Sequence, residues 1–477
     1  MPSIVALAAA VVAFFALSLL VPASAALIYG DWQAVEAFLL LAVAYGFLAI
    51  VTIMALTPRI RRLSRAGVFT ATIAMWLALV LVAIPPILLV ENLPPGQAIF
   101  EAVSAAITLG ITFRPSADIS ATMALYRGMV AWQGGLLTLL LAVYVLGRYE
   151  VGGTPNRHIR YILHSFQSGD PRLVQTFFEV FVPYTAMTMV CAAALVIART
   201  NPADALNIAI NIVSTNGFMP IQTGASVLNN AMGEIILIVF MLLSATSIIW
   251  HRTLTNKRWL HAREQTEASV FLFTIFVISA LSIILALALP QDHNSFGETV
   301  LNAVFDVVSV MTTTGITHDT RFGIGLPFEL ILAVTIVGGC SYSTSGGIKV
   351  FRLSSMLRHS SNEIRQLVYP HLILAKSVGE DANERRLAKA VWSTLFIAIL
   401  TMMLSTLAFS LQDFDLVSSL GLAVGIFSST GNVVTSSISL PEGQIPSDTT
   451  LLTLSVVGLL ARIELLVVLA AFGRNKW

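Results

Sequence analysis

The chain reads as an all-α polytopic membrane protein: four helix–half-helix–turn–helix repeats about a pseudo-four-fold axis, preceded by a two-helix hairpin. Three observations predict this class. Of 477 residues, 56% are hydrophobic and only 11% charged, more apolar surface than a soluble chain of this size can hide. The basic residues fall on one side of the predicted spans. Four short apolar segments, each too short to cross a bilayer, end in similar glycine-containing turns.

A helical span needs about 20 mostly apolar residues. Ten segments qualify, near 4–28, 34–56, 68–90, 121–147, 174–198, 232–250, 268–290, 326–351, 388–411 and 449–473. The first includes Ala23-Ser24-Ala25, which resembles a signal-peptidase site, but Met1 to Leu20 lacks the basic residues of a signal peptide. We therefore expect a retained span. Arg59, Arg61, Arg62 and Arg65 follow the second span and place that loop in the cytoplasm. Alternation then puts both termini in the cytoplasm. On this topology 22 of the 27 Lys and Arg are cytoplasmic and four (Arg114, Arg127, Arg199, Arg321) are external. Sixteen of the 26 Asp and Glu are external, nine are cytoplasmic, and Arg462 and Glu464 lie within the last span. Positive-inside sorting explains the scarcity of external bases. It does not explain the external acid excess, which would concentrate cations at an entrance.

Between paired spans lie segments near 96–108, 203–215, 298–313 and 416–429. They end in Thr108-Leu109-Gly110, Thr215-Asn216-Gly217, Thr313-Thr314-Gly315 and Ser429-Thr430-Gly431, with glycines 107, 98 and 116 residues apart. One Ser/Thr-x-Gly is an ordinary turn. Four at the same place in the same unit define an internal repeat. The implied divisions are 1–67 for the hairpin and 68–157, 158–263, 264–365 and 366–477 for the repeats. Ser295 with Glu298 reads as a capping box opening the third half-helix.

Irregular backbone at membrane depth survives only where protein or a water-filled cavity satisfies it. Four such turns about one axis can present rings of carbonyls in place of a cation's hydration shell. The half-helices point their C-terminal dipole ends at the same place, which favours a cation there. The glycines Gly110, Gly217, Gly315 and Gly431 are the expected cation positions.

A second irregular stretch interrupts the 326–351 span: Gly338-Gly339-Cys340, then Ser343-Thr344-Ser345-Gly346-Gly347. Small residues can serve close helix packing. A ten-residue polar interruption instead argues for unwound backbone lining a cavity. Arg462, a costly intramembrane charge, has two readings: electrostatic control below the turns, or a structural pair. Glu464, two residues on, would share no helix face with it. Arg127 is expected to pair with an outer carboxylate or a half-helix carbonyl. Asp306 would anchor its half-helix or tune the entrance. Lys349 and Arg352 sit where basic side chains snorkel. Cys191 and Cys340 form no ligand or disulfide pattern. No HExxH, GxSxG, phosphate-loop or dinucleotide motif is present, so the chain is expected to be non-enzymatic and without a bound cofactor.

These residues together resemble the Trk/Ktr/HKT superfamily of K⁺ transporters, most closely its TrkH branch, from about residue 68 to the C-terminus. The resemblance rests on Phe100 to Ala105, on Arg127, Trp132, Gly134 and Gly135, and on Ser214 to Phe218. It rests further on Ser309 to Gly315, Gly338 to Lys349, and Arg462-Ile463-Glu464-Leu465. The leading spans look like the additional N-terminal hairpin of that branch. The resemblance implies that the four triplets form a K⁺ selectivity filter, that residues 338–347 gate it, and that Arg462 and Lys349 shape the pore electrostatics. It implies K⁺ uptake across the bacterial inner membrane, a homodimer, and a cytoplasmic TrkA-type nucleotide-binding ring through which any nucleotide control would act. The basic stretch from Arg352 to Lys389 is a plausible contact for that ring. Two positions depart from the pattern: Asn216 replaces a common glycine, and the fourth turn lacks the usual Gly-Pro-Gly. Both argue against assuming strict K⁺ over Na⁺ selection, whereas the intact Gly110 favours K⁺. A Na⁺- or H⁺-coupled symporter of the same fold is the main alternative. An intramembrane hydrolase using Ser341 or Ser343 is the remote one, since no span supplies a partner histidine. Nothing suggests a nucleic-acid partner.

Overall fold

The computed structural model describes residues 1–114, 118–153, 173–219, 230–255, 266–288, 296–316, 326–369, 380–438 and 445–472. All regular elements among these residues are helical. Helices α1 (Pro2–Ser18) and α2 (Leu20–Tyr29) run on as one 28-residue apolar span. Asp31 caps α3 (Trp32–Leu56) by accepting from the Ala34 N–H. The hairpin is welded to the first repeat: α1 packs on α3 and on α4 (Arg65–Glu91), burying Phe15, Leu19 and Phe38.

The four half-helices are α5 (Pro95–Ala106), α8 (Pro202–Val213), α12 (Phe296–Met311) and α16 (Leu416–Ser428). They match the expected segments within about three residues. Pro95 at the start of α5, Asn201-Pro202 at α8 and the Asp415 cap at α16 explain where three of them begin. The proposed Ser295 cap lies outside the described residues. Incoming helices are α4, α7 (Leu173–Ile197), α11 (Thr266–Ala288) and α15 (Glu380–Ser410). Outgoing helices are α6 (Ala121–Leu140, continued as a π-helix to Gly147), α9 (Ala231–Ala245), α13 (Phe328–Val337) and α18 (Asp448–Arg462).

Three spans differ from expectation because their helices break. After α9 the chain turns at Thr246-Ser247 into α10 (Ile248–Thr255). α13 stops at Gly338, and helix resumes only in α14 (Val350–Val368). α16 is followed by the short α17 (Gly431–Ser437), and α18 meets α19 (Leu465–Phe472) at a bend of 81°. Seven described helices are therefore long and apolar enough to span a membrane, or eight counting the bent pair. The chain is a multi-pass membrane protein.

Packing closes the repeats into a ring. Each half-helix lies against its own incoming and outgoing helices, and also against the outgoing helix of its neighbour: α8 on α6, α12 on α9, α16 on α13, and α5 on α18. The last contact joins the fourth repeat to the first. Ring closure, which no local sequence pattern encodes, thus follows from side-chain packing between elements hundreds of residues apart.

Candidate functional site

The four triplets sit at the centre of this ring, and each is built by the same backbone device. The first residue of each is left-handed: Thr108 (φ 56°), Thr215 (54°), Thr313 (58°) and Ser429 (55°). The N–H of that residue bonds three residues back, to Ala105, Ile212, Val310 and Ile426. The next N–H, of Leu109, Asn216, Thr314 or Thr430, bonds five residues back, to Ser104, Asn211, Ser309 or Gly425, at 2.8–3.0 Å. This is the paired bonding of a Schellman helix end. Glycine ordinarily occupies its left-handed position; here three β-branched threonines do. That conformation costs about 1–3 kcal/mol per residue and persists only where surroundings enforce it.

The triplets touch in cyclic order. A methyl group placed on Gly110 would lie 2.5 Å from Gly217 N. One on Gly217 would strike Thr314 O and lie 2.9 Å from Gly315 O; one on Gly315 would lie 3.1 Å from Gly431 N. One on Gly431 would lie 2.5 Å from Leu109 O, which returns to the first triplet. Carbonyls and glycine backbones of all four repeats therefore crowd one axis, with room for no side chain between them.

The ring is not four-fold in detail. In repeats one and three a buried serine clamps the turn. Ser104 Oγ donates to Ile111 O (2.8 Å) and accepts from Ile111 N–H (3.2 Å). Ser309 Oγ does the same with Ile316, at 2.6 Å for each bond. Gly110 and Gly315 in these turns have φ of 75° and 76°, whereas Gly217 and Gly431 are not left-handed. Repeat two has an asparagine ladder instead: Asn216 Nδ2 donates to Asn211 Oδ1 (2.6 Å), and Asn211 Nδ2 to Asn207 Oδ1 (2.9 Å). Repeat four has Gly425 at the clamp position, and its Gly431 opens α17 directly. The Ser-x₃-Thr-x-Gly-Ile pattern shared by residues 104–111 and 309–316 signalled the clamps in the sequence.

Beneath the ring lies the interruption. Gly338 (φ 67°, ψ −166°) takes a conformation open essentially to glycine alone and ends α13. The following residues cross under the other repeats. Thr344 Oγ1 reaches Val213 O at 3.3 Å and Ser244 O at 3.2 Å, and Gly346 N–H donates to Thr313 Oγ1 at 2.7 Å. Gly346 Cα also abuts Ser428 O, at the end of the fourth half-helix. Gly339 abuts Ala245 O, to which Cys340 N–H donates at 2.9 Å. Ser343 Oγ donates to Cys340 O and meets Ser345 Oγ, and Gly347 is left-handed at 77°. The chain is thus threaded through contacts that satisfy its unwound backbone.

Arg462 joins both layers. From the last turn of α18 its Nη2 donates to Thr108 Oγ1 and to Thr344 O, each at 2.7 Å. Among the described residues it forms no ion pair. Glu464, left-handed at the α18–α19 bend, pairs instead with Arg352 at 2.9 Å through both oxygens. Arg352 also donates to Gly152 O at 3.0 Å, so its role exceeds snorkelling. Lys349 Nζ turns back onto Ser345 O and Ser345 Oγ. Ser345, Lys349, Ser429 and Arg462 line a cavity of about 90 Å³ below the ring, large enough for several waters.

Arg127 takes the expected outer carboxylate, and its carbonyl partner lies past the first turn rather than in the half-helix. It pairs with Glu101, donates to Ile111 O at 3.1 Å, and lies over the Phe218 ring at 4.5 Å. Thr112 Oγ1 completes the Glu101 carboxylate at 2.7 Å. Gly134 lets α6 press against Ala106 O at the end of α5. Asp306 is buried within α12. Glu267, which sequence reading passed over, reaches the interruption from α11.

Comparison with known proteins agrees with this architecture. The family model described as "TrkH: Cation transport protein" matches residues 46–438. The Trk system potassium uptake protein TrkH of Halomonas elongata is 29% identical over 476 residues, covering 97% of this chain and 96% of that protein. The Escherichia coli protein of the same name is 29% identical over 371 residues, 74% of each chain. The crystal structure of the potassium transporter TrkH from Vibrio parahaemolyticus superposes with a TM-score of 0.84 at 24% identity, over 100% of this chain and 99% of that one. A family model matched across most of the chain, with a shared fold from end to end, makes this protein a member of the TrkH family of cation transport proteins.

Proposed function

We propose that this protein mediates potassium uptake across the bacterial inner membrane through a gated, channel-like pore. The observation that carries the reading is the cyclic contact of the four triplets, Gly110 to Gly217 to Gly315 to Gly431 to Leu109. It surrounds one axis with backbone carbonyls and helix C-terminal ends, the environment that replaces a cation's water. Unpartnered buried oxygens lie there too: Asn216 Oδ1, Ser428 Oγ and Thr430 Oγ1. Such atoms call for water or an ion. K⁺ would bind at the level of Gly110, Gly217, Gly315 and Gly431. The relatives are named potassium uptake proteins, which supports K⁺ as the ion and a transport rather than enzymatic role.

In this reading residues 338–347 are the gate. They pass directly beneath the ring and touch all four repeats, the first through Arg462. Entry would be driven by the membrane potential, worth about 2.3 kcal/mol per charge per 100 mV. Residues 1–67 form the hairpin, and the pore repeats divide at 68–157, 158–263, 264–365 and 366–477. Both termini face the cytoplasm. The Trk system name of the relatives fits a multicomponent assembly, so we assign a homodimer and a cytoplasmic TrkA-type nucleotide-binding ring as partners. Arg358 and Arg365 on α14, with Arg385, Arg386 and Lys389 on α15, would form the ring's contact.

The test is ⁸⁶Rb⁺ uptake into liposomes holding the purified protein under a K⁺ gradient, with external K⁺ or Na⁺ as competitor. Uptake blocked by K⁺ but not Na⁺, and altered by Gly315→Ser, is the expected result. Equal block by both ions would remove K⁺ selection. Uptake absent even with a TrkA-type ring and nucleotide would overturn conduction, and dependence on a Na⁺ or H⁺ gradient would replace it with symport.

A further inference from the structure

The interruption leaves main-chain N–H groups at both of its ends without helical partners. Ser341 follows the break of α13, and Phe351 lies in the first turn of α14, whose first N–H groups have no intrahelical acceptor. Both donate to one atom. Glu267 Oε1, in the first turn of α11, accepts from Ser341 N–H at 2.6 Å and from Phe351 N–H at 3.2 Å. These two donors are ten residues apart and bracket Tyr342 to Val350, the segment lying under the triplets. Glu267 is half-buried.

The geometry points to Glu267 as the latch that holds the interruption closed beneath the pore. The inference rests on the gate reading above. A carboxylate at a helix N-terminus meets the dipole and the free N–H groups together, and bonds to a charged acceptor are about twice as strong as neutral ones. One carboxylate anchors both ends, so freeing the whole segment breaks two bonds to the same atom. α14 also packs on α11, and Arg358 Nη2 donates to Thr266 Oγ1 at 3.2 Å. A pull on α14 from the cytoplasmic side would therefore act first on Glu267. It is a positioning residue, acting on the ion path through the backbone it fixes.

The chain carries its own probe. Cys340 sits beside Ser341, and Cys191 lies in α7; both thiols are buried and free. In full-length protein reconstituted in liposomes, maleimide alkylation of each cysteine is followed by mass spectrometry, alongside ⁸⁶Rb⁺ uptake. Glu267→Ala is expected to speed Cys340 alkylation about tenfold, the population change that follows from losing a charge-assisted hydrogen bond. Cys191 should stay at the wild-type rate, uptake should rise, and Glu267→Gln, which keeps the acceptor oxygen, should restore most of the protection. An unchanged Cys340 rate in Glu267→Ala overturns the latch. So does a parallel rise at both cysteines, which would mean general loosening. Selective exposure of Cys340 with no uptake in any variant, even after a TrkA-type ring and nucleotide are added, would keep the latch and sink the conduction reading instead.

Discussion

Arg462 Nη2 lies 2.7 Å from Thr108 Oγ1, across 354 residues of sequence. The same nitrogen holds Thr344 O at 2.7 Å, so one guanidinium ties the first triplet to the interruption. A positive charge beneath a carbonyl ring raises the barrier to cation exit. We predict that Arg462→Ala increases ⁸⁶Rb⁺ uptake by the protein without partners, since it removes both the charge and the bridge. Arg462→Lys, lacking the planar fork, should fall between. Uptake equal to wild type in the alanine variant would rule out this role.

Ser104 and Ser309 set the left-handed glycines of repeats one and three through two bonds each. Ser309→Ala should leave Ile316 N–H and C=O unpaired in a buried site, at a cost of about 1–3 kcal/mol. The predicted outcome is a lower melting temperature in detergent and weaker discrimination of K⁺ from Na⁺ in competition assays. Ser104→Ala should shift both in the same direction but by less, because Ile111 O keeps its bond from Arg127. If either variant keeps wild-type selectivity, the clamps serve stability alone.

Asn216 replaces the serine clamp in the second turn by an amide ladder. Asn216→Ala removes the donor to Asn211 Oδ1 and loosens the second turn of the ring. Competition by Na⁺ against ⁸⁶Rb⁺ is predicted to increase, and melting to fall, since Asn211 Oδ1 is left unpaired in a buried site. A ratio that does not move would show that Asn216 takes no part in ion choice.

Arg127 and Glu101 form a buried pair roofed by the Phe218 ring. Removing one partner strands the other charge, which costs about 3–5 kcal/mol. Arg127→Ala should therefore lower the thermal midpoint sharply, whereas the double change Arg127→Met with Glu101→Leu should recover much of it. A single variant as stable as wild type would contradict the ion-pair account.

Hydropathy and charge alone determined the span-and-half-helix repeat, the four Ser/Thr-x-Gly turns and the place of the interruption. These features are local: an apolar run, a small residue after it, or a basic loop acts through its own few neighbours. They also marked most residues of the candidate site, because backbone that turns inside a packed ring needs glycine and small hydroxyl residues there. The tertiary structure decided the rest. Closure of the ring by α18 on α5, the choice of Thr108 and Thr344 over Glu464 as partners of Arg462, and the reach of Glu267 to Ser341 and Phe351 all join distant segments. It also reduced four similar turns to two clamped ones and two unclamped ones. Long-range hydrogen bonds and close packing select among side chains that look alike in sequence, and only the assembled ring fixes which donors and acceptors meet.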